Sequence, residues 1–265
     1  MLLAVDVGNT NIVSGVFAPD AARGSVALHS WRMATSRERT ADEYGLMFQE
    51  LLRHKGMELG DVTDIVAASV VPPIHPVLEA CCQRYFGLSP LRVGPGVDAG
   101  LKLSIDNPGE LGADRIANCV GVLEKFGSPA IVVDLGTATT FDVVGGEREY
   151  MGGLILPGVK IAAEALFQRA ARLPRVELAK PGAIVGRNTV QAMQSGLFYG
   201  SIAQIDGILE RLFREFPDAV AVATGGLAKV IARESIHIQH VEPDLTLNGL
   251  HAIWLWSRGR AAVTR

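Results

Sequence analysis

The segment Asp6-Val7-Gly8-Asn9-Thr10-Asn11 returns in altered form as Asp134-Leu135-Gly136-Thr137-Ala138-Thr139-Thr140, each time after one short apolar run and before another. Two copies of a strand-turn-strand unit predict a duplicated fold that holds a ligand between its halves. In each copy an aspartate ends the first strand, a glycine permits a tight turn, and small hydroxyl or amide residues leave backbone N–H groups to face an anion. That is phosphate-binding chemistry. Two carboxylates repel a bare phosphate, so a cation has to lie with it, and the expected ligand is Mg-ATP.

A chain of 265 residues is long for one core and short for two full domains, and its 48% hydrophobic content can fill two small joined lobes. The expected boundary is residues 1–117 for the first lobe and 118–265 for the second. With 25 basic and 28 acidic residues, the net charge of −3 gives no general attraction to nucleic acid or anionic membranes. No apolar stretch is long enough to span a bilayer, and the N-terminus enters a strand at once without a basic leader, so a cytoplasmic location is expected. Cys81, Cys82 and Cys119 have neither disulfide nor metal-ligand spacing and read as small core residues.

Ile12 to Phe17 continues the first hairpin, and Val26 to Met33 alternates as a third antiparallel strand. Thr40 with Glu43 is a capping box opening a helix whose apolar residues Tyr44, Met47, Phe48, Leu51 and Leu52 recur at helical spacing. A strand over Ile65 to Val71 ends at Pro72-Pro73, a helix follows from Pro76 to Tyr85, and another running to about Phe126 bridges the lobes. The second lobe repeats the opening with strands at Ala130 to Val133, Thr140 to Val144 and Leu154 to Leu156. Later come a helix over Val190 to Phe213, with Gly196, Gly200 and Ser201 for close packing, a strand over Ala219 to Ala223, and a closing helix over Leu250 to Ser257. The pattern is α/β, with mixed sheets flanked by helices.

Phosphorylating an alcohol needs a carboxylate within reach of its proton. Asp114 is the candidate, beside Arg115, whose charge can hold the carboxylate ionised or receive a substrate carboxylate. The same four residues, Gly112 to Arg115, also suit a plain helix N-terminus. Neither turn carries a Walker A lysine, so the backbone of residues 8 to 13, the hydroxyls of Thr10 and Thr137, Mg2+ near Asp6 and a monovalent ion near Asp134 have to neutralise the phosphates. Asp6 and Asp134 could instead only stabilise their own turns. Thr224-Gly225-Gly226 fits an adenosine platform or a simple strand-to-helix turn equally. His237 and His240 read as non-ligands, and Arg32, Arg37 and Arg39 with Thr35 and Ser36 as a solvated loop.

Asp6 to Asn11, Ser69-Val70-Val71-Pro72, Asn107-Pro108, Gly112-Ala113-Asp114-Arg115, Asp134 to Thr140, Gly152 to Gly158, Thr189 and Thr224-Gly225-Gly226-Leu227 occur in that order. Taken together they closely resemble type III pantothenate kinases. The resemblance implies the acetate and sugar kinase, Hsp70 and actin superfamily fold with two RNase H-like lobes, a homodimer, and ATP-dependent conversion of pantothenate to 4'-phosphopantothenate in coenzyme A synthesis. It also implies a monovalent cation, K+ or NH4+, at Asp134, and assigns the base to Asp114. ATP would lie against Asp6, Val7, Gly8, Asn9, Thr10, Asn11, Ile12, Val13 and Thr137, and pantothenate against Ile105, Gly112, Ala113, Asp114, Arg115 and Thr189. Where the family usually has a tyrosine before Asp-Asn-Pro this chain has Ile105, which forfeits a hydrogen bond worth roughly 1 kcal/mol. Three alternatives share parts of this pattern: a kinase for another small alcohol, a transcriptional accessory protein without turnover, and a chaperone-like ATPase, for whose peptide-binding domain the chain has no room.

Overall fold

The computed structural model describes residues 1–94 and 96–263, with side chains to residue 259. Contacts divide the chain into two compact units, residues 1–127 joined by 244–265, and residues 128–243.

In the first unit β1 (Leu2–Val7) and β2 (Asn11–Phe17) form an antiparallel hairpin that β3 (His29–Ala34) extends. After α1 (Ala41–Arg53), β4 (Asp64–Ser69) returns parallel to β1. Beyond α2 (His75–Cys81), β5 (Leu91–Arg92) completes the sheet order β3-β2-β1-β4-β5. A two-residue strand, β6 (Lys102–Leu103), and α3 (Ala113–Phe126) follow. The capping box is formed: Thr40 Oγ1 accepts from Glu43 N at 3.3 Å while the Thr40 N–H donates to Glu43 Oε2 at 2.8 Å. This fixes the register that buries Tyr44, Phe48 and Leu52 against Val5, Val7, Ile12 and Ile65, each side chain contributing about 1.5–3 kcal/mol.

The second unit repeats this plan. β7 (Ala130–Leu135), β8 (Ala138–Gly145) and β9 (Glu149–Pro157) run antiparallel, then α4 (Val159–Arg169) and the long α5 (Thr189–Glu215) lead to β10 (Val220–Thr224), parallel to β7. The short α6 (Ala228–Ile231) and β11 (His240–Val241) follow, so that the second unit's own strands run in the order β9-β8-β7-β10-β11 within a six-stranded sheet, matching the first unit's β3-β2-β1-β4-β5. The chain then re-enters the first unit as α7 (Leu245–Val263).

That return differs from the expected boundary after residue 117, which falls inside α3, and from a closing helix belonging to the second lobe. The reason is the packing of α7 on α3, β1, β2 and β4. A Cβ on Gly249 would lie 1.8 Å from the Ala117 carbonyl oxygen, and one on Gly121 would lie 2.5 Å from that of Leu245. Only glycines let these helix backbones approach so closely. Thr246 Oγ1 also donates to Asn118 Oδ1 at 2.7 Å. The third strand starts at His29 rather than Val26, because Gly24 has φ +80° and Val26 and Leu28 are exposed. Gly196 and Gly200 face open space rather than a packed neighbour among the described residues.

Candidate active site

Asp6 is half-buried at the last-but-one position of β1, and the hairpin turn beyond it closes through Gly8 N–H to Asn11 O at 3.0 Å. Asn9 and Thr10 are exposed at its tip, whereas Val7 and Ile12 are buried beneath and Val13 is half-buried. The parallel neighbour β4 ends beside this turn: Asp6 is paired with Ala68 and Val7 with Ser69, and Val70 N–H donates to Val7 O at 3.1 Å. The same Val70 reaches the start of α3, where a Cβ on Gly112 would meet its Cγ1 at 3.5 Å and Asp114 Oδ1 at 2.6 Å. One short segment, 69–71, therefore joins the first turn to Gly112, Ala113, Asp114 and Arg115. The sequence gives no local signal for this role of Val70, since it arises from parallel strand pairing.

Asp114 occupies the first turn of α3, where its Oδ1 accepts the Arg115 backbone N–H at 2.8 Å. Burial pushes its carboxyl above the ordinary carboxylate range, opposed by that hydrogen bond and by the Arg115 charge. A carboxylate made more basic by burial, still reachable, is suited to accept a proton. Ile105 is half-buried in the approach to α3.

In the second unit Asp134 is the last-but-one residue of β7, the same place that Asp6 holds on β1, and is flanked by Thr140 on β8 and Thr224 on β10. The backbones of Gly136 and Gly225 pack close against it, and Cβ atoms there would lie 3.2 Å and 2.4 Å from Asp134 Oδ1. Gly225 has φ +92°, a conformation that keeps the Thr224-Gly225-Gly226 turn against the carboxylate. Its glycine thus has a local duty, spacing Asp134, that sequence alone did not separate from adenosine binding. Thr137 sits in the second turn, where the close approach of Gly158 would place a Cβ 2.2 Å from its carbonyl oxygen. Thr189 begins α5 beside its cap Asn188 and lines an open cleft of about 660 Å³ with Leu166, Leu173, Arg187 and Met193. Cys81 and Cys82 are buried, and burial pushes their thiols up to about 12, consistent with core residues.

Residues 2–211 match the family model of type III pantothenate kinase. The chain belongs to the type III pantothenate kinase family. It is 50% identical over 255 residues to a type III pantothenate kinase of Bacillus cytotoxicus, covering 96% of this chain and 95% of that relative. Kinases of this family use ATP to phosphorylate pantothenate in coenzyme A synthesis. Among solved structures, similar folds include a Baf family protein from Campylobacter jejuni described as a transcriptional activator, with a TM-score of 0.59 and 19% identity, covering 97% of this chain and 99% of that one. Another is the Clostridium difficile activator of 2-hydroxyisocaproyl-CoA dehydratase with bound ADPNP, with a TM-score of 0.56 and 12% identity, covering 98% and 97%. These likenesses extend over nearly the whole chain and show a shared fold, and the two units carry the duplicated strand-turn-strand plan that the aspartate turns predict. No helix among the described residues is long and apolar enough to cross a membrane.

Proposed function

We propose that this kinase phosphorylates the primary hydroxyl of pantothenate with ATP, and that Asp114 is the base that receives the hydroxyl proton. The observation that carries the assignment is the path Val7–Val70–Gly112, which brings the first turn and a buried, raised-pKa carboxylate into one neighbourhood. The ATP phosphates would rest on the backbone of residues 6 to 13, with Thr137 contributing from the second turn. The magnesium that accompanies ATP neutralises phosphate charge, and Asp6, a hard oxygen donor, is suited to lie near it.

Asp134 would hold a monovalent cation. Such an ion supplies positive charge where a phosphate loop has no lysine. Pantothenate would lie against Ile105, Gly112, Ala113 and Arg115, with its carboxylate recognised by a guanidinium, and Thr189 is assigned to the same substrate. Asp114 would draw the proton from the hydroxyl as its oxygen attacks the terminal phosphoryl group, and ADP leaves. We also propose a homodimer working in the cytoplasm; the exposed apolar side chains Met151 and Ile155 of β9 and Ile161 and Phe167 of α4 support a partner surface.

A coupled assay of ADP release tests this reading. We expect release to require pantothenate and to be much faster in potassium or ammonium than in sodium or Tris, with Asp134→Ala abolishing the difference. Equal rates in all four buffers would remove the ion from Asp134, and release without pantothenate would remove the substrate.

A further inference from the structure

The loop after β3, which reads in sequence as solvated surface, is anchored at both ends of a short chain of contacts. Thr35 Oγ1 donates to Gly8 O at 2.7 Å, and the Thr35 backbone N–H donates to Thr10 O at 3.0 Å. One residue on, Ser36 N–H donates to Tyr44 Oη at 3.2 Å, and Tyr44 Oη donates back to Ser36 O at 2.8 Å. Tyr44 is itself 1% exposed in the core of the first unit. On the outer side, Arg39 Nη1 donates to Ala34 O at 3.0 Å and its guanidinium lies 5.8 Å from the Tyr44 ring centre. The sequence Tyr44–Ser36–Thr35 therefore ties the tip of the first turn to a buried helix position.

These bonds constrain more than position. A peptide unit is planar and trans, so its carbonyl and the following N–H point to opposite edges. When Thr35 holds the Gly8 carbonyl, the Asn9 N–H is turned to the far side, at the exposed tip. When it also holds the Thr10 carbonyl, a second oxygen that would repel a phosphate is kept turned towards β3. A glycine-containing turn without such a clamp can rotate its peptide planes at little cost.

We propose that Thr35 is a positioning residue for the nucleotide: it orients the 8–9 and 10–11 peptide units so that the first turn offers donors, not carbonyls, to a phosphate. This rests on the reading of residues 6 to 13 as the ATP turn. It adds a residue outside that segment, whose hydroxyl touches the turn's backbone and whose neighbour Ser36 is held by Tyr44. The benefit is preorganisation, since a turn already in its binding conformation loses less freedom when ATP arrives.

The test is steady-state kinetics and direct ATP titration of Thr35→Val, Thr35→Ser, Tyr44→Phe and Gly8→Ala, each with a melting temperature. Valine keeps the branched shape and removes the hydroxyl, and should raise KM and Kd for ATP by about tenfold with KM for pantothenate unchanged. Serine restores the hydroxyl and should bring both back to within about twofold of the native values. Should Thr35→Val not fold, Tyr44→Phe, which removes only the anchoring hydroxyl, is expected to raise the ATP constants by about threefold. A merely structural Thr35 would lower the melting temperature and alter kcat or both KM values together, and that pattern overturns the proposal. If Gly8→Ala weakens ATP while Thr35→Val and Tyr44→Phe do not, the turn binds ATP but Thr35 does not position it. If none of the three variants moves the ATP constants, the turn is not the nucleotide site and both readings fall.

Discussion

Asp114, the proposed base, is a side chain whose burial costs stability at neutral pH. Its folded-state pKa lies above the ordinary carboxylate value because burial disfavours the charged form, so at neutral pH its ionisation opposes folding. Asp114→Asn removes that charge and keeps the shape. We expect kcat to fall by about 100- to 10,000-fold, while ATP still binds and the melting temperature at pH 7 stays level or rises. Native-like turnover would exclude Asp114 as the base, and a lower melting temperature at pH 7 would contradict the direction of its shift. The same shift gives kcat/KM an acid limb centred above the ordinary carboxylate range, which Asp114→Asn should lose. Ile105 permits a complementary test of the substrate side. Ile105→Tyr should change KM for pantothenate by up to about tenfold and leave KM for ATP nearly constant. The opposite pattern would assign the approach to α3 to the nucleotide. These residues were legible in sequence because the chemistry leaves short local patterns, an aspartate before a glycine turn or an Asp-Arg pair. Val70 and Thr35 were not, since their roles come from pairing across strands that no short window contains.

Among the elements, α1 could be read almost to the residue because its capping box and apolar spacing agree, and α5 because its periodicity continues over many turns. α7 was read too short, as it is buried on several sides at once and lacks the polar stripe that marks a helix boundary. Its crossing with α3 brings the two helix backbones together at Gly121 and Gly249. Gly249→Ala forces a methyl group into the Ala117 carbonyl, and should cost about 3 kcal/mol or more and lower Tm by roughly 10 °C. Unchanged thermal unfolding would mean the helices separate without penalty. The same helix stacks His251 on Phe17 of β2, with ring centres 4.3 Å apart and planes 6° from parallel. Burial holds the His251 pKa below its ordinary value, against a smaller opposing effect of the Ala21 backbone. A neutral ring is therefore the folded form: its contribution is intact above the ordinary histidine value of about 6.5 and is lost as pH falls below it towards the depressed one. Urea unfolding of His251→Phe should show a flatter pH dependence below about pH 6.5 than the native protein. Parallel curves would remove His251 from the acid response.

At the scale of the whole molecule, the two units share one strand order but finish their turns differently. In the first, the residue after β3 clamps the turn with a hydroxyl, and in the second the residue after β9 is Gly158, which lets the backbone itself press on Thr137. The duplication was legible from two aspartate turns, but the unit boundary was not, because the contacts that move α7 to the first unit join residues 117–121 to 245–249. In the proposed dimer, the exposed apolar surface on β9 and α4 is where two copies would meet. Ile155→Asp, at a side chain 67% exposed, should turn a dimer into a monomer in sedimentation experiments without lowering Tm by more than a few degrees. A native protein that already sediments as a monomer at micromolar concentration would end the dimer proposal. The return of α7 also has a consequence during synthesis on the ribosome. β1, β2 and β4 emerge early, yet the helix that covers one of their faces is translated only after all of residues 128–243. The continuous second unit can close while the older strands wait with an apolar face bare, so the nascent chain stays exposed to aggregation at those strands until translation reaches α7.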